Sequence, residues 1–360
     1  MTEQELFSIS INPPDKDAYA RAKDHFDRLA KPLDGLGIFE EMVCRIAAIR
    51  GTDKPDIAKK QLVIMCADNG VVSEGVSQTD SSVTASVVRL MAKRKSTVGV
   101  MTEAYPVDIT TVDIGIASSD TIDGIVDMKV AQGTGNIATE PAMRAAECLQ
   151  AISSGIGIVK ESQISGVGII ATGEMGIGNT TTAAALFCAL SGTDPEKITG
   201  RGAGLSDEGL IKKTSVIKTA LERYKLNNTY ETSSPSGALS ALCDLGGLDI
   251  AALCGVFIGG ALYDIPVVID GFISAVAAVT AELICPGTKD YMLASHNGRE
   301  RGCAAALHML DLKPVIDADM ALGEGSGAVM LYPLLDMVMN LYYEGVIFTD
   351  TTISQYERFD

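Results

Sequence analysis

Ser165-Gly-Val-Gly-Ile-Ile-Ala-Thr-Gly-Glu-Met-Gly-Ile-Gly-Asn-Thr-Thr-Thr182 sets the frame for the whole chain. Its first part, Ser165–Ala171, is an apolar run that predicts a buried strand. Beyond the loop, Thr182–Leu190 is alanine-rich and predicts a helix, opening at Asn179 or Thr180. Between the two lie Gly173, Gly176 and Gly178, which let the backbone turn sharply and let a ligand come close to it. A helix opening there aims free N–H groups and the positive end of its dipole at that ligand, which suits a phosphate. Glu174 does not suit a phosphate, because like charges repel. It suits a group held as a cation or relieved of a proton. The stretch lacks the Gly-Lys-[Ser/Thr] of a P-loop and the G-x-G-x-x-G spacing of a dinucleotide fingerprint. Alone, it marks an anion site and not a reaction.

Outward from this stretch, apolar runs alternate with helical segments. Gln61–Ala67, Val107–Ile114, Ile265–Ile269 and Tyr291–Ala294 read as strands. Ser81–Lys95, Pro141–Glu161, Asp207–Arg223, Pro235–Asp244, Asp249–Ala261, the run up to Ile284, Arg301–Leu310 and the run up to about Glu344 read as helices. Gly124–Pro141 reads as loop. Near-continuous apolar strands alternating with helices predict an α/β fold: a parallel sheet covered by helices on both faces, a Rossmann-like three-layer arrangement. Ligands of such sheets bind beyond the carboxyl ends of the strands. Asp68, Asp113, Glu174, Asp270 and Ser295 fall at those ends and are expected to line one crevice. Asp15–Arg50 is helical with a break at Lys31–Gly37, has no strand, and has to pack elsewhere. The tail from Thr349 is polar and expected to fray.

The net charge of −17 over 360 residues excludes nucleic acid and anionic membrane surfaces as main partners. Any anionic substrate is drawn by local donors. Ile250–Ala261 and Gly271–Ile284 are too short to span a bilayer and read as buried helices. Met1–Ser10 lacks the pattern of a signal peptide, and the eight cysteines include no C-x-x-C pair. Reduced core cysteines in a cytoplasmic protein are expected. His25, His296 and His308 do not cluster, so neither a metal nor a cofactor is expected. Acid–base chemistry then falls to carboxylates.

Glu324 sits in Leu322-Gly-Glu-Gly-Ser-Gly-Ala328, before a helix start. It reads either as a complement to the helix dipole or as a general base whose pKa burial raises. Asp249 reads as an N-cap or a hydroxyl ligand, and Lys213 as a surface lysine or a phosphate contact. Met175 reads as core, and Arg299-Glu300-Arg301 as a solvated helix start.

Several motifs together resemble one family. They are C-A-D-N-G-V-V-S-E-G-V (66–76), G-T-G-N-I (133–137), G-E-M-G-I-G-N-T-T-T (173–182), G-R-G-A-G-L-S (200–206), V-I-D-G-F-I-S-A-V-A-A (268–278), A-S-H-N-G (294–298) and L-G-E-G-S-G-A (322–328). They look like the nicotinate-nucleotide–dimethylbenzimidazole phosphoribosyltransferases of cobalamin biosynthesis, in order over nearly the whole chain. The resemblance implies transfer of 5-phosphoribose from nicotinate mononucleotide to 5,6-dimethylbenzimidazole, with inversion at C1′. It implies Glu324 as catalytic base and Glu174 in the same site. Met175, Gly176, Ile177, Gly178, Asn179 and Thr180 would form the phosphate loop and its surroundings. Gly202, Gly204, Ser206, Lys213, Asp249, Asp270, Thr79, Ser295 and Leu322 would complete the substrate contacts. It further implies a large domain over 60–328, a small helical domain from 1–59 with 329–360, and a homodimer. Asn69, Thr79, Val87, Gly298 and Ala321 depart from residues common in the family, so base selectivity is the open part. The inner alternative is a paralogue that activates adenine, another benzimidazole or a phenol. The contrasting alternative is a non-catalytic nucleotide-binding partner subunit.

Overall fold

In a computed structural model, which describes residues 1–227 and 231–358, the strands run in two sheets. They are β1 (Lys60–Ala67), β2 (Asp108–Gly115), β3 (Val126–Asp127), β4 (Ile169–Met175), β5 (Val267–Ile269), β6 (Met292–Ala294), β7 (His296–Gly298) and β8 (Ile316–Met320). The helices are α1 (Glu3–Phe7), α2 (Lys16–Arg28), α3 (Ile38–Ile49), α4 (Ser82–Ala92), α5 (Thr97–Met101), α6 (Ala145–Ile164) and α7 (Asn179–Ser191). They continue with α8 (Pro195–Ile198), α9 (Asp207–Asn227), α10 (Pro235–Leu245), α11 (Leu248–Leu262), α12 (Phe272–Ile284), α13 (Gly302–Met309) and α14 (Ser326–Glu344).

The main sheet has the order β3-β2-β1-β4-β5-β6, and every pairing is parallel. Strand order reverses between β1 and β4, and a crevice opens at such a switch point beyond the carboxyl ends. Alternation along β1 decides the layers. Val63, Met65 and Ala67 face a core shared with α6, α7 and α10–α12. Leu62, Ile64 and Cys66 face a second core shared with α2, α3, α4 and α14. Each fully buried Val, Leu or Ile contributes roughly 1.5–3 kcal/mol, so a strand buried along its whole length is a strong organiser of both layers. α2, α3 and α14 therefore close one face of the sheet, while Leu6 of α1 packs into the core on the other. His25 Nε2 lies 2.6 Å from the Tyr342 carbonyl, and Leu29 bridges to Ile347.

Four local expectations change. The strand read as Ser165–Ala171 runs four residues further, to Met175, because pairing with β1 continues through Glu174↔Met65 and Met175↔Cys66. Gly124–Pro141 contains β3 at the sheet edge, and the following helix starts only at Ala145. β8, which pairs with β7 in a small separate parallel sheet, gave no apolar signal because its Asp317, Ala318 and Asp319 are exposed. The tail is not frayed throughout: Arg358 pairs with Asp27 at 2.8 Å and Asp34 at 2.7 Å. No helix among the described residues is long and apolar enough to cross a membrane. The cysteines are free, and all but half-buried Cys243 are buried.

Candidate active site

At the switch point, a crevice of about 280 Å³ gathers the loop after β4, the turn around Gly202, the loop after β5, the β7–α13 turn and the 321–324 loop. Met175 to Thr180 all line it, together with Glu174, Gly202, Asp270, Leu322 and Glu324. Val87, Gly298 and Ala321, three of the family departures, line it too.

The anion side is built first by backbone. α7 opens at Asn179 after Gly178, whose φ of 93° is the left-handed conformation glycine tolerates. No side chain caps this helix; the N–H groups of Asn179 and Thr181 donate to the Gly176 and Gly178 carbonyls at 3.2 and 2.9 Å, which leaves the Thr180 N–H and the helix dipole for a ligand. Lys213 then changes the picture. It is 1 % exposed, not a surface residue, because α9 buries it against the loop. Its Nζ donates to Thr180 Oγ1 at 2.8 Å, and a Cβ on Gly202 would lie 3.4 Å from that Nζ. Burial holds its pKa down to about 8, against a small upward pull from Glu300. No carboxylate lies within ion-pair distance of Lys213 among the described residues. A buried ammonium left without a counter-charge is costly, and a bound anion relieves that cost.

The carboxylate side follows from β4 and the 322–328 loop. Glu174, the last residue but one of β4, is half-buried, and its Oε2 accepts from Asn179 Nδ2. The same Nδ2 donates to Asp249 Oδ2 at 3.0 Å. Burial first, and the Asp249 carboxylate second, push the Glu174 carboxyl up to about 8. Asp249 is fully buried in the first turn of α11, and burial pushes it up to about 6. It lies beneath Asn179 rather than in the crevice wall.

Glu324 is held in a left-handed backbone, φ 57°, between Gly323 at 88° and Gly325 at 82°. Such a conformation costs a non-glycine residue on the order of 1–3 kcal/mol and recurs at functional sites. Two contacts enforce it. Gly173 has no side chain, and a Cβ there would stand 2.8 Å from the Glu324 carbonyl carbon. The backbone N–H of Val98 donates to Glu324 Oε2 at 3.0 Å. Oε1 has no protein partner among the described residues, so one oxygen is held and the other is open to accept a proton.

Other expected contacts lie off the crevice walls. Asp68 and Asp113 are buried supports. Asp68 Oδ2 accepts from Ala117 N at 2.9 Å, while Asp113 caps Gly115 and Ile116 and pairs with Lys129 at 3.2 Å. Ser295 is buried, with Oγ donating to the Ile269 carbonyl at 2.6 Å. Thr79 and Gly204 are exposed, and Ser206 Oγ accepts from Gly209 N at 3.1 Å. The expectation that five strand-end residues share one crevice therefore holds for Glu174 and Asp270 alone. The other three turn inward because backbone N–H and C=O groups beside them need partners. Asn69 is buried as well, with Oδ1 accepting from Thr182. The Arg299–Arg301 segment is only partly solvated: Glu300 packs against Gly200 and lines the crevice.

Sequence reading passed over Val98, Phe272, Glu300 and His296 as contributors. Val98 acts through its backbone, which leaves no side-chain signal. His296 could have been found, since it follows a strand end in A-S-H-N-G. Among the described residues, no group of three or more His, Cys, Asp or Glu side chains is placed to hold a metal ion.

The chain is similar to known proteins over nearly its full length. A phosphoribosyltransferase family model matches residues 11–353. The nicotinate-nucleotide–dimethylbenzimidazole phosphoribosyltransferase of Ruminiclostridium cellulolyticum is 42% identical over 99% of both chains. The one from Acetivibrio thermocellus is 40% identical over 97% of both. The crystal structure of CobT from Thermus thermophilus superposes with a TM-score of 0.87 at 34% identity, covering 94% of this chain and 100% of that one. With an anion loop and an open carboxylate in one crevice, and this likeness over nearly its full length, the chain belongs to the nicotinate-nucleotide–dimethylbenzimidazole phosphoribosyltransferase family.

Proposed function

We propose that this enzyme transfers the 5-phosphoribosyl group of nicotinate mononucleotide to 5,6-dimethylbenzimidazole. The products are α-ribazole 5′-phosphate and nicotinate, in the assembly of the nucleotide loop of cobalamin. The observation that carries this reading is the pairing, in one crevice, of the Gly176–Thr180 loop, backed from behind by buried Lys213, with the free oxygen of Glu324.

The donor phosphate binds the first turn of α7 and Lys213. Its charge meets the buried ammonium, which strengthens both. The pyridinium ring departs as neutral nicotinate nitrogen when the C1′–N bond breaks, so the leaving group needs no acid. Positive charge develops on the ribose, and the carboxylates of Glu174 and Asp270 stabilise it. By itself, the protein pushes Glu174 up to about 8. The donor's cationic pyridinium, and the positive charge that develops on its ribose, favour the ionised form beside them. The lone-pair nitrogen of the acceptor bonds to C1′ from the opposite face, which inverts the configuration. The acceptor's N–H proton passes to Glu324 Oε1. A positioned base supplies roughly 10²–10⁴-fold in rate; fixing two substrates in line supplies much of the rest.

This reading also places the enzyme in the cytoplasm and includes a homodimer, supported by exposed Leu90 on α4 and Met330 and Met337 on α14. It treats 1–59 with 329–360 as a small helical unit beside 60–328, supported by the Leu29–Ile347 bridge.

The test is a competition. Protein, nicotinate mononucleotide and equal dimethylbenzimidazole, benzimidazole, adenine and p-cresol are incubated, and the ribotides are identified by mass. A dominant dimethylbenzimidazole ribotide is expected. A dominant adenine or cresol ribotide keeps the mechanism and moves the acceptor. Donor binding with no ribotide at all overturns the enzymatic reading.

A further inference from the structure

His296 is 4 % exposed, yet its ring forms part of the crevice wall. One edge is wedged against the first turn of α14, where a Cβ on Gly327 would fall 2.0 Å from Nδ1. The neighbouring serine fixes the protons of this ring. Ser295 Oγ has a single proton and gives it to the Ile269 carbonyl at 2.6 Å. The 2.9 Å contact between Ser295 Oγ and His296 Nδ1 is therefore donated by the imidazole. In the neutral ring, Nε2 then carries a lone pair and no proton.

Nε2 has no hydrogen-bond partner among the described residues. Its open side lies over Gly271 and Gly298, where Cβ atoms would stand 3.9 and 3.6 Å away. Both glycines line the crevice. Asp270, also in the wall, has Oδ1 occupied by the N–H of Ala328 at 2.9 Å. This part of the wall thus offers acceptors. It would repel a phosphate or the nicotinate carboxylate and would suit a ligand edge that carries hydroxyl protons. On the donor, those are the 2′ and 3′ hydroxyls of ribose; the acceptor's one N–H is directed at Glu324.

Resting on the phosphoribosyl-transfer reading, we propose that His296 Nε2 accepts the proton of a ribose hydroxyl of the donor, making His296 a residue that selects ribotides over deoxyribotides. Holding that hydroxyl also fixes the ribose ring, and with it the orientation of C1′ toward the acceptor.

The kinetic test compares kcat/KM for nicotinate mononucleotide with its 2′-deoxy and 3′-deoxy analogues in wild type, His296→Ala and His296→Gln. Removing a ring hydroxyl changes the intrinsic lability of the glycosidic bond, so the readout is how the ribo/deoxy ratio changes between proteins. For one analogue, His296→Ala is expected to reduce that ratio by about tenfold, the worth of one well-placed hydrogen bond. His296→Gln keeps an acceptor oxygen and is expected to restore part of it. Ratios for both analogues that are unchanged in His296→Ala overturn the proposal. Two further measurements do not depend on turnover. ¹⁵N NMR of the free protein is expected to show a protonated Nδ1 and a bare Nε2, and the reverse tautomer overturns the proposal. Ribose 5-phosphate is expected to bind more tightly than its 2-deoxy or 3-deoxy form to wild type but not to His296→Ala. This arm still reads the hydroxyl contact if the transfer reaction itself is not found.

Discussion

The two sides of the crevice are made differently. The candidate anion side is almost continuous in the chain: Gly176–Thr180 forms the loop and opens α7, and the nearby turn at Gly202 with Lys213 behind it completes it. The base side is assembled from pieces far apart. Glu324 is held by Val98, 226 residues away, and by the bare backbone of Gly173. A local site survives as a motif, because its geometry follows from a strand, a turn and a helix start. An assembled site exists only when the sheet has brought its parts together. The anion side should therefore govern binding of the donor, and the base side should govern turnover.

The strongest way to break this division is Glu324→Gln. The amide can still accept from Val98 N, so the loop should persist, but it cannot take the acceptor's proton. The expected result is a fall in kcat of roughly 10²–10⁴-fold, with nicotinate mononucleotide binding intact by calorimetry. Unchanged kcat would remove Glu324 as the base.

Next in size is Lys213→Ala. Losing a charged hydrogen bond to phosphate should lower kcat/KM for nicotinate mononucleotide by about ten- to a hundredfold, mainly through KM. Nicotinate riboside, which lacks the phosphate, should be used equally by both proteins. A similar loss with both donors would show that Lys213 matters for packing and not for the anion.

The smallest expected effect is on stability and sharpens the role of Glu174. Its carboxyl is raised in the folded chain from 4.5 to about 8. Between those values the folded state holds a proton that the unfolded state releases, so stability falls as pH rises. Below about pH 4.5 and above about pH 8 this contribution is constant. Glu174→Gln removes it. The melting temperature of wild type should therefore drop relative to the variant between those limits, as thermal unfolding across pH would record. A parallel pair of curves would mean that Glu174 is ionised throughout.

The sequence by itself determined the three-layer α/β class, a helix opening at Asn179 or Thr180, Glu174 and Glu324 as candidates, and the family. Apolar periodicity and glycine spacing are local properties, and seven ordered motifs leave little room for coincidence. The tertiary structure decided what the side chains do. Lys213 was written into an otherwise ordinary helix, and only the packing of α9 buries it against Thr180. Asp68, Asp113 and Ser295 sat at strand ends like Glu174, yet their neighbours' backbone groups and a lysine claimed them. β8 stayed hidden because exposed aspartates carry no burial signal. The strained backbone of Glu324 follows from contacts between segments remote in sequence. Local patterning specifies elements; the placement of a proton, a lone pair or an unpaired charge depends on which elements come to touch.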